Sequence, residues 1–154
     1  DFRGSPVADS APESWRQLCK AAATLPHIWC NPELAELAAA LPVRQDWLAI
    51  SWRALNALSG YATIKSVARV NGEPLTPVRN FRAYLDGHGA GPKVPTSQVA
   101  LHESDTVLNN TKLRRLRERP VPFDIDPSGT ALHLAHIRIS QTAPGPRLHF
   151  HDDT

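Results

Sequence analysis

The closing residues Arg147-Leu148-His149-Phe150-His151-Asp152-Asp153 combine an arginine, two histidines and two carboxylates in one short run. In an extended strand alternate residues share a face, so Arg147, His149 and His151 point one way and Leu148 and Phe150 the other. Two imidazoles spaced in this way emerge about 7 Å apart. An earlier segment, Ala131 to Ser140, places Leu132, Leu134, His136 and Arg138 on one face and His133, Ala135, Ile137 and Ile139 on the other. If the two segments pair antiparallel, His136 or His133 approaches the His149/His151 row. His136, His149, His151 and Asp152 would then suit Zn²⁺ or a related divalent ion, and one imidazole could work as a general acid or base. This is the basis for a metal-dependent hydrolase or nuclease. The set completes no metalloenzyme signature. A solvated polar face, with Asp152 and Asp153 as ordinary turn residues, is the plainer reading.

A second candidate is the run Lys112-Leu113-Arg114-Arg115-Leu116-Arg117-Glu118-Arg119. Read as a helix, it turns Leu113 and Leu116 to the core. Lys112, Arg114, Arg115, Arg117 and Arg119 then fan over the exposed side, where they could contact phosphates. Arg79 and Arg82, with Lys93, could extend the same surface, and Asn109, Asn110 and Thr111 could add hydrogen bonds. Cations near a helix C-terminus also complement its dipole, so the run has a purely structural use. Arginine outnumbers lysine 13 to 4, which favours anionic partners because the guanidinium fork fits phosphate and carboxylate. Biased coding explains that ratio equally well, and a net charge of +2 is weak support.

Other signals are sparser. Trp15, Trp29, Trp47 and Trp52 all lie in apolar stretches and read as core, with an aromatic ligand pocket as the alternative. Tyr61 and Tyr84 have no spacing that demands stacking. His102-Glu103-Ser104-Asp105 holds the residue types of a triad, but neighbours in sequence cannot converge on one point, so it reads as a helix entry. There is no GxGxxG, Walker A loop, GxSxG elbow or HExxH. Cys19 and Cys30 form no CxxC pair and read as two free thiols, with one disulfide possible.

These side chains need elements to carry them. Ser10-Ala11-Pro12-Glu13 has the form of a capping box, followed at helical spacing by Trp15, Leu18, Cys19, Ala22 and Leu25 up to Pro26. Asn31-Pro32 opens a second helix with Leu34, Leu37, Ala38 and Leu41 as its stripe, stopped by Pro42. Asp46 caps a third, too apolar for one narrow face and therefore central, with Gly60 as its stop. Tyr61 to Val70 is ambiguous between strand and helix. Thr76-Pro77 starts a helix through Val78, Phe81 and Leu85 to Gly87. Residues 87–97 form a Gly/Pro loop. A helix from Ser104-Asp105 to Arg119-Pro120 follows, then strands at Val121 to Ile125, Ala131 to Ser140 and Arg147 to His151, with a type I turn at Asp126-Pro127-Ser128-Gly129.

The chain is thus expected to be α+β: a helical N-terminal layer of about four helices packed with a small antiparallel C-terminal sheet. Residues 1–9 read as a loose tail and 10–154 as one domain, mainly helical over 10–90 and helix plus strands over 98–154. Its 154 residues, 42% hydrophobic and 21% charged, are a globular profile, with no membrane span and no signal pattern. The absence of Met and the strand so near the end suggest a piece excised from a larger bacterial, cytoplasmic protein, whose other domains would be its neighbours. The function expected is a nonenzymatic accessory domain that binds nucleic acid without a cofactor. The metal-dependent hydrolase and a protein-interaction domain that offers its last strand to a partner sheet are the alternatives.

Overall fold

The computed structural model describes residues 11–142 and 145–154. The expected tail and the Ser10 cap lie outside them. Helix α1 (Trp15–Ala22) is capped by Ser14, whose Oγ accepts the Gln17 N–H at 3.1 Å, and it buries Trp15, Leu18 and Ala22. Helix α2 (Leu34–Ala39) begins after Asn31, whose side chain accepts the Glu33 N–H at 3.0 Å. Ala38 is the buried residue of its stripe, and Leu37 stands 50% exposed.

Helix α3 (Gln45–Val70) is the axis of the fold. Its N-cap is Arg44, not Asp46, and Asp46 instead holds the Arg44 guanidinium in a 2.7 Å ion pair. Over 26 residues it spans about 39 Å. Buried positions follow in close succession at Ala54, Leu55, Ala57, Leu58, Ser59, Tyr61 and Ala62, so most of its circumference is covered, as a central helix requires. It does not stop at Gly60. A Cβ there would lie 2.9 Å from Pro92 Cδ and 3.0 Å from the Tyr84 hydroxyl, so this glycine serves close packing and not chain termination. Tyr61 to Val70 is accordingly helical.

A 3-10 turn (Thr76–Val78) and α4 (Phe81–Asp86) divide the helix expected from Thr76, because Asn80 caps α4 through a 2.8 Å bond from the Ala83 N–H. Strand β1 (Val99–Ala100) was not anticipated. The long Arg-rich helix is also divided. Helices α5 (Asp105–Leu108) and α6 (Thr111–Arg115) each carry their own cap, Ser104 and Asn110, and the second cap ends what the first began. Leu113 and Leu116 are 36% and 52% exposed and do not face the core. Arg117 and Arg119 lie beyond the helix: β2 (Glu118–Pro120) pairs antiparallel with β3 (Thr130–Leu132). Val121 to Ile125 belongs to their connection and is not a strand. The expected turn is present, with the Gly129 N–H bonded to the Asp126 carbonyl at 2.9 Å.

The segment Ala131 to Ser140 is not one strand. It breaks at His133-Leu134, after which β4 (Ala135–Arg138) joins the other sheet, ordered β1-β4-β5, with β5 (Arg147–Phe150) at an edge. Val99, Ile137 and Leu148 turn one face of that sheet to α3 and α4, where Tyr61, Phe81, Tyr84 and Phe150 form an aromatic cluster with centroids 5.6 to 6.2 Å apart. A second cluster joins α1 and α2 to the start of α3. The architecture is α+β, with six α-helices among the described residues. No helix among them is long and apolar enough to cross a membrane.

Candidate functional site

The opposite face of the β1-β4-β5 sheet carries the polar chemistry. Register places Ala100 opposite His136 and His136 opposite His149. The short Ala100 side chain leaves room over that row, and Glu103 fills it from the loop that enters α5. Its carboxylate is only 5% exposed. Glu103 Oε1 accepts a 2.8 Å bond from Arg117 Nε and lies 3.7 Å from His136 Nδ1 and 3.8 Å from His149 Nδ1. Main-chain carbonyls fix both rings: His136 Nδ1 sits 3.1 Å from Leu134 O and His149 Nδ1 3.2 Å from His133 O.

Burial, then the charges of Arg117 and His136, push the His149 imidazole down to about 4, against weaker upward pulls from the His133 carbonyl and Glu103. His149 is therefore neutral at pH 7, and its 3.8 Å approach to Glu103 is not an ion pair. Arg117 is the cation that balances the carboxylate. The Arg117 carbonyl accepts the His133 N–H at 2.7 Å, which extends the β2–β3 pairing by one residue.

The four residues of the sequence-derived metal set part company. His136 and His149 are brought together, with ring centroids 5.0 Å apart. His151 stands instead beside His133 at 5.9 Å. Burial foremost lowers the His133 imidazole. Asp152 accepts a 2.6 Å bond from the buried Tyr61 hydroxyl. Glu103 takes the place expected of Asp152, and nothing local in the sequence marks it, because its position depends on the β1–β4 pairing.

A cleft of about 840 Å³ lies alongside. Apolar side chains of Trp15, Leu18, Leu34, Leu55 and the half-exposed Trp29 line it, so Trp29 is not the core residue its surroundings suggested. Arg117, Arg119, Arg147, His133, His149 and His151 line it too. Arg69 of α3 and the carboxylates of Asp152 and Asp153 also line it. Lys112, Arg114 and Arg115 are exposed on α6, beside a shallower depression of about 490 Å³. Arg79 and Arg82 are exposed near α4; the Arg79 guanidinium bonds the Thr76 carbonyl at 2.9 Å. Lys93 is held at Tyr84, bonding its carbonyl at 2.9 Å and lying 4.2 Å from the ring centroid. Cys19 and Cys30 are free thiols on the cleft wall, both pushed up by burial.

Such a cleft can hold an anion by guanidinium forks while an apolar portion of the same ligand rests on its apolar lining. No protein-family model matches this chain, and neither a curated protein nor a solved structure does.

Proposed function

We propose that the chain is a recognition domain for a phosphate-bearing polyanion, foremost single-stranded nucleic acid, received at the arginines and histidines that line the cleft. The observation that carries this reading is that Arg117, Arg119 and Arg147 line, together with His133, His149 and His151, one cavity of about 840 Å³. That volume falls within the range of about 300–1,000 Å³ usual for ligand sites. Guanidinium groups bind phosphate through paired N–H donors, and an imidazole that stays neutral offers a further hydrogen bond without adding charge. An apolar lining that includes Trp29 suits an unstacked base, which favours a single strand over a duplex. Lys112, Arg114 and Arg115 continue the positive surface beyond the cleft and would steer the strand towards it.

The test is fluorescence anisotropy with labelled single-stranded RNA and DNA, and with duplex, across a salt series. Binding to single strands should weaken as salt rises, by about 0.7 in log K per log salt for each phosphate neutralised. The Arg119→Ala/Arg147→Ala variant should flatten that slope by about 1.4. Lys112→Ala/Arg114→Ala/Arg115→Ala should weaken binding alike for all sequences. Absence of binding at low salt ends this reading.

A further inference from the structure

We propose that Glu103, His136 and His149 form a binding site for a divalent transition-metal ion, with Arg117 holding the carboxylate when no metal is bound. Three side chains from three separate segments converge, and one donor atom from each lies within 4.8 Å of the other two. Two imidazoles and a carboxylate are the donor set that Zn²⁺ and its neighbours take, with further positions left open. Bonds of about 2.1 Å in a tetrahedral site put ligand atoms about 3.4 Å apart. The 3.7 and 3.8 Å separations from Glu103 Oε1 to the two rings are a few tenths of an ångström wider than that.

The Leu134 and His133 carbonyls lie 3.1 and 3.2 Å from the Nδ1 atoms of His136 and His149, so ligation at Nδ1 requires each ring to carry its proton on Nε2 and give up its carbonyl contact. Of the residues at this site, His149 and Arg117 line the cleft.

Arg117 is the feature that decides how the site behaves. Its Nε donates to the Glu103 oxygen at 2.8 Å, so a metal ion and this guanidinium compete for one carboxylate. Metal binding must release Arg117 towards the cleft. A purely structural ion pair makes the opposite demand: without Arg117 the buried carboxylate has no cation, and nothing added to solution repairs it. Arg117→Leu therefore separates the two cases.

Isothermal titration with Zn²⁺ and Mn²⁺, on protein purified without a histidine tag and stripped with chelator, should show one equivalent bound by the native chain. Binding should be about tenfold tighter in Arg117→Leu, the equivalent of about 1.4 kcal/mol of competition removed. Zn²⁺ should also raise the melting temperature of Arg117→Leu by more than that of the native chain. Glu103→Gln and His136→Asn should lose the site, which sets it apart from adventitious binding at His133 and His151. If Arg117→Leu does not fold, Co²⁺ added to the native chain provides the measurement: visible ligand-field bands should appear and be absent in Glu103→Gln. No binding by the native chain and by Arg117→Leu overturns the proposal. So does binding that survives both Glu103→Gln and His136→Asn, or a native chain that gives no Co²⁺ bands. These readouts use metal alone and stand apart from the nucleic-acid reading.

Discussion

His136 and His149 face each other across adjacent antiparallel strands, ring centroids 5.0 Å apart, with the same Glu103 oxygen within 3.8 Å of both. Burial foremost, then the charge of Arg117, makes protonation of His149 costly. In the unfolded chain its imidazole takes up a proton near the ordinary value of 6.5; in the folded, metal-free chain it does so only at about 4. The unfolded state thus binds the extra proton across that window. The contribution of His149 to stability should be intact above pH 6.5 and fall as the pH drops towards 4. Urea unfolding in the presence of chelator at pH 7, 6 and 5 should show this slope, and His149→Gln should flatten it. An NMR titration placing the His149 midpoint near 6.5 would contradict the burial described.

The Glu103–Arg117 pair predicts an asymmetry. Glu103 is 5% exposed and Arg117 23%, so the anion depends more on the cation than the reverse. Arg117→Ala strands a buried carboxylate and should cost about 3 kcal/mol, the low end for a broken buried pair because Arg117 keeps some solvent. Glu103→Gln leaves an arginine that can turn into the cleft, and should cost less. The double variant should recover part of the Arg117→Ala loss, which a double-mutant cycle by urea denaturation would measure. Equal single costs that simply add would show that the two residues are not coupled.

The helical half was legible in the sequence because its signals are local. Apolar spacing at Trp15, Leu18 and Ala22 and the density of apolar residues after Trp47 depend only on periodicity, and they gave an α+β architecture with a central third helix. The errors came where one local signal has two physical causes. Gly60 looks like a helix stop, yet its role is set by Pro92, distant in sequence. Asn110 reads as a weak helix residue or a possible ligand contact, yet it caps a new helix and so removes Arg117 and Arg119 from the fan. The alternation of His149 with Phe150 was readable, and so was the approach of His136 as one of two options. Which of the strand histidines face each other is not local information. It depends on the break at His133-Leu134 and on strand register, and Glu103 arrives only through β1, a strand of two residues with no periodicity to detect.

Gly60→Ala tests the packing role assigned to this glycine. Considered as a helix residue alone, alanine should stabilise by about 0.5–1 kcal/mol. The new methyl would meet Pro92 at 2.9 Å and the Tyr84 hydroxyl at 3.0 Å, and the proline ring cannot swing aside. The Tyr84 hydroxyl is itself bonded to the Pro92 carbonyl at 2.6 Å, so moving either partner disturbs the other. The variant should therefore be less stable by about 1–2 kcal/mol, the usual scale of overpacking. Pro92→Ala in the same chain should return part of the loss. A Gly60→Ala protein as stable as the native one in thermal unfolding would show that the helix and the Pro92 loop are less closely packed than described.

The last prediction concerns how the C-terminal residues are held. Tyr61 is 2% exposed, and its hydroxyl reaches Asp152 Oδ2 at 2.6 Å and Thr154 Oγ1 at 3.1 Å, while Lys65 Nζ reaches it at 3.2 Å. Asp152 as a residue is exposed, but this oxygen faces inward. Burial pushes its carboxyl up; hydrogen bonds from Thr154 and Tyr61, with the Lys65 charge, outweigh that and hold it below the usual carboxylate value. Tyr61→Phe keeps the ring among Phe81 and Tyr84 and deletes only this node. Lys65 retains the Arg79 carbonyl at 3.1 Å, and Asp152 retains the Thr154 N–H at 2.9 Å, so neither is orphaned. The cost should be about 1.5–3 kcal/mol, that of one hydrogen bond to a charged group. Asp152→Asn weakens the same bond from the other side, so the double variant should lose less than the two singles together. Amide exchange at Thr154 should quicken in both singles, because the tail is tied to α3 through this contact. Fully additive losses, with Thr154 exchange unchanged, would mean that the tail is held elsewhere.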